Sequence, residues 1–371
     1  MIFVVLALAV VVAFAAAWWL LPRQAVPASA ARPRPALPAA RPAAPATQQP
    51  PTAVPDPQPL PARLAAFRPL ALGELTAQRQ QRLADELRRI PRPPSALRQL
   101  TSPAFLEQAS SAQLSELIMA EAHVAAKVLA TVNAPFYGLR QPVHSVGQAV
   151  TFLGLNTVRG LCLQALMTAS FEPGNAELRR QFDTIAQASA LASELCVRLS
   201  ARLGLPAQGA LVTQVVLSFL GPMAGAAMMS RANCRWTLAD DLLARSEAEQ
   251  AQLGLRASAL GGLLLQLWDL PAVIVDDVAA IDAVLVTPAG PQASARQAPA
   301  ALGYLCARLG ERLATGGLTD LDSCDPASDD SEAFFHLKSH LQLPALARLT
   351  EHLHAADLGR AVASLARGVT R

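Results

Sequence analysis

Apolar residues recur at the spacing of an α-helix through most of the chain from Leu83 onward. Ser110 and Gln113 form an S-x-x-Q pair, the pattern of a capping box at the start of a helix. The residues after this pair predict one helix that ends near Asn133. Its apolar face consists of Leu114, Leu117, Ile118, Ala125, Val128, Leu129 and Val132.

Further helices follow along the chain. A second S-x-x-Q pair, Ser145 and Gln148, predicts a short helix, and residues 175–203 predict one long helix that Gly204 ends. The segment 212–229 is apolar nearly all round, which suits either a membrane span or a core helix. A Gly-Pro pair in its middle and its limited apolar length favour a core helix. No stretch alternates with period two for long enough to predict a strand, so the pattern predicts an all-α body.

The N-terminal segment has a different pattern, an unbroken run of uncharged, mostly apolar residues from Ile2 to Leu21. As a helix this run is roughly 30 Å long, the thickness of the hydrocarbon core of a bilayer. Trp18 and Trp19 close it at headgroup level, and four arginines precede the first acidic residue, Asp56. We therefore expect residues 1–22 to form a single transmembrane helix in the inner membrane, with the rest of the chain in the cytoplasm.

The alternative to an anchor is a secretory signal peptide cleaved after Ala28-Ser29-Ala30, which would make the protein a periplasmic binding domain. Signal peptides normally have a basic n-region and a shorter apolar core, and this segment has neither. Residues 23–66 are rich in Pro and Ala and predict an extended spacer. A docking site for proline-binding modules is a second reading of that spacer.

Composition narrows the possible functions. The net charge is +3 and aromatic residues make up 5% of the chain, whereas nucleic-acid-binding domains have a basic stripe and often aromatic stacking platforms. We therefore expect no nucleic-acid partner. The five cysteines are widely spaced without a C-x-x-C pair, which predicts free buried thiols in a reducing compartment rather than a zinc or redox site.

Several motifs between residues 79 and 283 resemble the HDOD family, the HD-related output domain of bacterial signalling proteins. These motifs are Arg88-Arg89-Ile90-Pro91, Asn133-Ala134-Pro135-Phe136-Tyr137-Gly138, Ala149-Val150-Thr151-Phe152-Leu153-Gly154, Val158-Arg159, Leu260-Gly261, Leu264-Leu265 and Trp268-Asp269-Leu270-Pro271. The resemblance implies an HD-like multi-helix bundle, related to HD phosphohydrolases but usually without their catalysis. Residues 284–371 then form a C-terminal helical extension, and whether it packs on the main body stays open.

The resemblance also indicates where metal ligands would lie. HD phosphohydrolases need converging histidines and aspartates, including an adjacent His-Asp pair, to hold a metal that activates water. This chain has no His-Asp dipeptide, and the four corresponding positions are Ala188, Ser218, Phe219 and Ala257. If the correspondence holds, these residues exclude a catalytic metal by that route. We therefore expect no catalytic residues, no metal and no cofactor.

Other residues are candidates for an interaction site or a structural turn. They are Asn133, Phe136, Tyr137, Gly138, Arg159 and Trp268. For Phe136 and Tyr137 the favoured interpretation is a packed turn, in which Asn133 bonds a helix end and Gly138 takes a positive φ. His336 and His340 are spaced i,i+4 and could share a metal, but a solvated helix face is favoured because no third ligand is spaced to join them.

The sequence thus predicts a membrane-anchored, catalytically inactive HDOD-like signalling module that acts through a protein partner. The alternative from another class is a divergent metal-dependent phosphohydrolase whose ligands lie in the C-terminal region.

Overall fold

A computed structural model describes residues 59–134, 137, 139, 141–290 and 295–368 of the chain. The predicted membrane helix, residues 1–22, and the spacer up to residue 58 lie outside the described residues. Within them every element is an α- or 3-10 helix, and no strand is found. The all-α prediction for the body is therefore confirmed.

The first described helices are short. They are α1 (Ala62–Ala66), α2 (Ala77–Arg88), α3 (Ala96–Leu100) and α4 (Pro103–Gln108), with a 3-10 turn at Leu72–Glu74. Residues 62–66 were predicted to belong to the spacer, and this boundary is wrong. Leu64 is buried, and Arg63 pairs with Glu247 at 2.7 Å and with Glu332 at 2.9 Å. One leucine among small and polar residues is too weak a signal for composition to reveal this contact.

The next four helices are α5 (Ser111–Met119), α6 (Ala122–Val132), α7 (Val146–Leu153) and α8 (Leu155–Thr168). The capping box is confirmed, because the Ser110 hydroxyl accepts from the Gln113 amide and the Gln113 side chain accepts from the Ser110 amide. The single helix predicted up to Asn133 is instead two helices, broken at Ala120 and Glu121. Both halves bury the same apolar face, so the helical spacing continues across a break that no Gly or Pro marks.

The central helices are α9 (Ala176–Arg202), α10 (Gln208–Ser218) and α11 (Leu220–Arg231). Gly204 follows α9 with φ +64°, as the sequence predicts, and the Asn175 side chain caps the start of the helix. The segment 208–231 is, within the described residues, the one stretch long and apolar enough to cross a membrane, yet its most apolar 18 residues are all buried in the protein. The core location is as predicted, but the segment is two helices that meet at Phe219.

The remaining helices complete the bundle. They are α12 (Leu242–Leu253), α13 (Ala257–Leu267), α14 (Ala272–Ala283), α15 (Gln297–Thr315), α16 (Glu332–Leu341), α17 (Leu349–Leu353) and α18 (Ala356–Gly368), with a 3-10 turn at Pro344–Leu346. The long helix α9 packs along α15 more extensively than any other two described helices pack together. The C-terminal extension is therefore part of the bundle.

A glycine makes the close packing of α15 on α9 possible. A Cβ atom at Gly310 would lie 2.4 Å from the carbonyl oxygen of Ala188, a distance that real Cβ atoms do not adopt. Helix α15 thus lies directly against Ala188, one of the four positions that correspond to metal ligands in HD phosphohydrolases. Residues of α15 therefore lie close to the candidate site.

Candidate functional site

Two of the four positions that correspond to metal ligands in HD phosphohydrolases line a small cavity of about 30 Å³. Ser218 at the end of α10 and Ala257 at the start of α13 both line it. Charged side chains from α12, α14 and α15 complete the lining. The structure thus brings two of the four predicted positions together, while Ala188 lies against α15 and Phe219 is buried beside Ser218.

A buried ion network borders the cavity and is defined here as Arg245, Glu249, Arg308 and Glu311; the first three of these residues line the cavity. Glu311 joins two arginines, because one carboxylate oxygen accepts from Arg245 Nη2 at 3.1 Å and the other from Arg308 Nη1 at 2.8 Å. All three side chains are at least nine-tenths buried. Arg308 and Glu311 are spaced i,i+3 on α15, so they share one face of that helix.

Glu249 is satisfied by neutral donors as well as by charge. Its Oε1 accepts from Trp236 Nε1 at 2.7 Å, and its Oε2 accepts from the backbone amide of Ala257, also at 2.7 Å. The second bond caps the N-terminus of α13, where a negative charge is favoured. Arg245 Nε lies 4.0 Å from the same carboxylate, and its guanidinium lies over the Trp236 ring.

The electrostatics of the network follow from burial and pairing. Burial by itself lowers the pKa of Arg245, but the carboxylates of Glu311 and Glu249 outweigh it, and the net pKa lies above its ordinary value. Asp282, on α14, lines the same cavity. Burial raises the pKa of Asp282 to about 6, although Arg256 and Arg308 oppose the rise. Asp282 is thus a weaker acid than an exposed aspartate, and burial likewise raises the pKa of Glu249.

These residues do not fit a catalytic metal ion. Ala188, Phe219 and Ala257 carry no donor atom, and the Ser218 hydroxyl donates to the carbonyl of Val215 at 2.8 Å. Glu249 and Glu311 already accept several hydrogen bonds, and the two guanidinium groups would repel a divalent cation. Within the part of the chain that the structure describes, no cluster of His, Cys, Asp and Glu is arranged to hold a metal.

Asn133 clamps the loop that follows α6. Its Nδ2 donates to the carbonyl of Val143 at 2.8 Å and its Oδ1 accepts from the Val143 amide at 2.7 Å. The predicted bond from Asn133 to a helix end is therefore wrong, because the side chain bridges the two ends of the loop instead. Phe136 and Gly138 lie outside the described residues. Tyr137 is half-buried, and burial raises the pKa of its hydroxyl well above the usual range.

The other candidates lie apart from the cavity. Trp268 is buried at the end of α13 as a core residue. Arg159 is buried on α8, where its guanidinium lies over the ring of Phe105. His340 is also buried, and its Nε2 lies 3.0 Å from the carbonyl of Thr287, so the prediction of a solvated face is wrong at that position.

The five cysteines are free, as predicted. Four of them are buried and Cys234 is half-buried.

Sequence reasoning missed the ion network itself. The available signal was the spacing of charges on otherwise apolar helices, with Arg245 and Glu249 at i,i+4 on α12 and Arg308 and Glu311 at i,i+3 on α15. Charged residues on a buried helical face are rarely left unpaired, so such pairs indicate an internal ion network.

Comparisons with known proteins agree with this architecture. The HDOD domain model matches residues 90–284, more than half of the chain. The structure resembles an HDOD domain protein with unknown function from Geobacter sulfurreducens, at 16% identity and a TM-score of 0.53, covering 80% of this chain and 99% of that one. No curated protein matches significantly.

Two further solved structures are similar with lower scores. One is a Shewanella amazonensis SB2B protein provisionally described as a metal-dependent phosphohydrolase, with 14% identity, a TM-score of 0.47 and coverage of 79% of this chain and 100% of that one. The other is a Marinobacter aquaeolei VT8 protein provisionally described as a signal transduction protein, with 16% identity, a TM-score of 0.49 and coverage of 81% and 69%. With the match over residues 90–284, the all-α bundle and the signature residues in place, the chain belongs to the HDOD domain family.

Proposed function

We propose that this protein is a membrane-anchored, catalytically inactive HDOD signalling module that acts by binding a protein partner. The observation that carries the proposal is the buried ion network, which borders the cavity where the relation to HD phosphohydrolases would place a metal. Arg245 and Arg308 supply positive charge where a hydrolase needs a cation and its ligands.

The size of the cavity supports the same conclusion. A volume of about 30 Å³ is roughly the share of one water molecule in the liquid, so a phosphate ester with its metal ions does not enter without rearranging the network. Rearrangement would leave buried charges without partners, which is costly. The network therefore stabilises the bundle and leaves binding, rather than hydrolysis, as the activity.

Helices α5 and α7 are our candidate for the partner surface. Met119 at the end of α5 is 62% exposed and Phe152 near the end of α7 is 63% exposed, and the two helices pack against each other. Each is a large apolar side chain whose burial in a complex would be favourable. Phe152 also belongs to the Ala149–Gly154 motif that resembles the family.

The role of Phe152 can be tested by site-specific crosslinking in membranes. A photoreactive residue at position 152 should capture a discrete partner, and Phe152→Glu should abolish the signalling output of the intact cell system. Leu72, 36% exposed on the 3-10 turn before α2, provides the matched control, and Leu72→Glu should have no such effect. Equal effects of the two variants would contradict a specific contact at α7.

The anchor is tested by fractionation. The full-length chain should partition with membranes, and deletion of residues 1–21 should release it, because that run is apolar and long enough to span the bilayer. Recovery of a mature chain that starts near Ala31 would instead support cleavage and export.

Inactivity is tested by assaying the purified full chain for bound metal and for hydrolysis of a cyclic dinucleotide. We expect neither stoichiometric metal nor turnover. Turnover that a chelator abolishes would overturn the proposal and favour the alternative, a divergent metal-dependent phosphohydrolase.

A further inference from the structure

Arg159 is buried without a partner of opposite charge. The residue is only 1% exposed, and neither Nε nor Nη1 has a hydrogen-bond partner. No carboxylate of a described residue forms an ion pair with Arg159, and its guanidinium carbon lies over the Phe105 ring, 5.7 Å from the centroid. Buried charges are normally paired, because an uncompensated one costs several kcal/mol, so this arginine requires an explanation.

Arg159 also lines a pocket. This pocket, of about 670 Å³, lies between α4, α8, α10 and α14, and we call it the Arg159 pocket. Its lining includes Asn156 and Leu205 as well as two acidic residues, Glu107 and Asp277. Its volume is typical of sites for small molecules.

Neither acidic residue neutralises Arg159. Asp277 accepts a hydrogen bond from Gln214 Nε2 at 2.8 Å and lies 3.5 Å from Arg296 Nε, so its charge already has partners. Glu107 is exposed, on α4. The positive charge inside the pocket is therefore still uncompensated by the protein.

A second source of positive potential lies in the same pocket, the N-terminus of α10. Ala207 precedes this helix in the left-handed conformation, with φ +52°, and no side chain caps the helix. The amides of Gln208 and Gly209 in the first turn thus lack the usual side-chain acceptor. The dipole of the eleven-residue helix adds partial positive charge at this end.

The two features are in direct contact. A Cβ atom at Gly209 would lie 2.3 Å from Arg159 Nη1, so the guanidinium packs against the first turn of α10, and only glycine allows that approach. Burial lowers the pKa of Arg159 below its ordinary value, which is the consequence of a cation without an anion. An anion placed at this point would meet the guanidinium and the helix end together.

We propose that the Arg159 pocket binds the oxyanion group, phosphate or carboxylate, of a small molecule. The donors are the guanidinium of Arg159 and the first-turn amides of α10. The remaining volume accommodates the body of the molecule, and Glu107 and Asp277 favour hydroxyl or amino groups on it. This ligand site is additional to the partner surface on α5 and α7 and does not depend on it.

The test is thermal unfolding and calorimetric titration of the full-length chain in detergent, with inorganic phosphate and acetate as probes at matched ionic strength. We expect at least one probe to raise the unfolding temperature in a saturable manner and to bind with one-to-one stoichiometry. Comparison of the two probes shows whether the site prefers phosphate or carboxylate. Arg159→Met should weaken binding by about tenfold or more, because charge-assisted hydrogen bonds to the anion are lost.

Arg179→Met is the matched control, since Arg179 is exposed near the start of α9, about 35 Å along that helix from the end near Leu205. It should bind as tightly as the wild-type chain.

A second variant is expected to bind the anion more tightly, a result that loss of folding would not produce. Glu107→Gln removes an exposed negative charge from the pocket lining, so phosphate or acetate should bind more tightly, and more so at low salt. Arg159→Lys retains the charge without the planar fork and should bind with intermediate affinity.

No saturable response of the wild-type chain to either anion would overturn the proposal. A response that Arg159→Met leaves unchanged would also overturn it.

Discussion

The ion network and the Arg159 pocket both contain buried arginines, but the arginines of the network are paired with carboxylates and Arg159 is not. In the network, Glu311 lies between Arg245 and Arg308 in hydrogen-bonding contact with both. In the pocket, Arg159 is at least as deeply buried, yet no described carboxylate reaches it. One cavity has a volume of about 30 Å³ and the other about 670 Å³.

This difference separates two uses of a buried charge. Oppositely charged side chains that pair in a closed space fix the helices that carry them relative to each other. Their hydrogen-bond donors and acceptors are then used and cannot bind a ligand. A buried charge with unmet donors beside an open volume is arranged for a group that comes from outside the chain. The cavity beside Ser218 and Ala257 is thus bordered by paired charges, whereas the pocket at the start of α10 has an unpaired charge and room for a ligand.

The largest expected effect comes from removing the shared carboxylate. Glu311→Leu leaves Arg245 and Arg308 buried without their common partner, so the free energy of unfolding should fall by about 3–5 kcal/mol. Urea unfolding followed by circular dichroism measures this change. Glu177→Gln, in an exposed i,i+3 pair with Arg180, is the control and should have no measurable effect. A loss no greater than that of the control would show that the network contributes nothing to stability.

The next effect tests the contact that places α15 over Ala188. Gly310→Val inserts a side chain where a Cβ alone would lie 2.4 Å from the Ala188 carbonyl oxygen, so the free energy of unfolding should fall by about 3 kcal/mol. Gly262→Ala, in α13 with nothing within 4 Å of the added Cβ, is the control. It should stabilise the chain by up to about 1 kcal/mol through helix propensity. Equal and small effects would mean that α15 does not pack closely on α9.

The features that sequence predicted well are local ones. The caps at Ser110 and Ser145 and the stop at Gly204 depend on residues within a few positions of each other, and all three are present in the structure. The apolar periodicity and the family motifs likewise depend on spacing along the chain. The break at Ala120 and Glu121 was not predictable in this way, because no helix-breaking residue occurs there.

The sites depend on distant residues. Arg245 and Glu311 are on helices far apart in sequence, and only the folded bundle brings their side chains to 3.1 Å. For Arg159, the sequence motif identified the residue, but its lack of a carboxylate partner is a property of the folded chain alone. Sequence therefore predicted the helices and the family, whereas the charge arrangement required the three-dimensional structure.

A smaller effect concerns pH. The raised pKa of Asp282, about 6 against an ordinary 3.8, means that the folded state holds this proton more tightly than the unfolded state. The stability linked to this group is fully present below about pH 4 and is lost as the pH rises through 6. Asp282→Asn removes the loss. Between pH 4 and pH 7 the free energy of unfolding of the variant should therefore rise relative to that of the wild-type chain. The expected rise is on the order of 2 kcal/mol, a value reduced for the partial exposure of Asp282.

Chemical unfolding of the two chains at several pH values measures this difference. The groups that act on Asp282, Arg245, Arg256, Arg308 and Glu311, are the same in both chains, so the difference isolates one carboxyl group. A difference that does not change with pH would contradict the raised pKa.

The smallest expected change in the free energy of unfolding is that of Arg159→Met, and its sign distinguishes the Arg159 pocket from the ion network. Arg159→Met removes a buried charge that has no carboxylate partner and keeps an apolar side chain of similar length against Phe105. In buffer without phosphate or carboxylate, the free energy of unfolding should therefore stay the same or rise by about 1 kcal/mol. The same substitution at Arg245 should lower it by about 3–5 kcal/mol, because Glu249 and Glu311 would lose their common cation. Urea unfolding of both variants measures the two changes together. If Arg159→Met destabilises the chain as much as Arg245→Met does, Arg159 is a structural residue and the contrast between network and pocket fails.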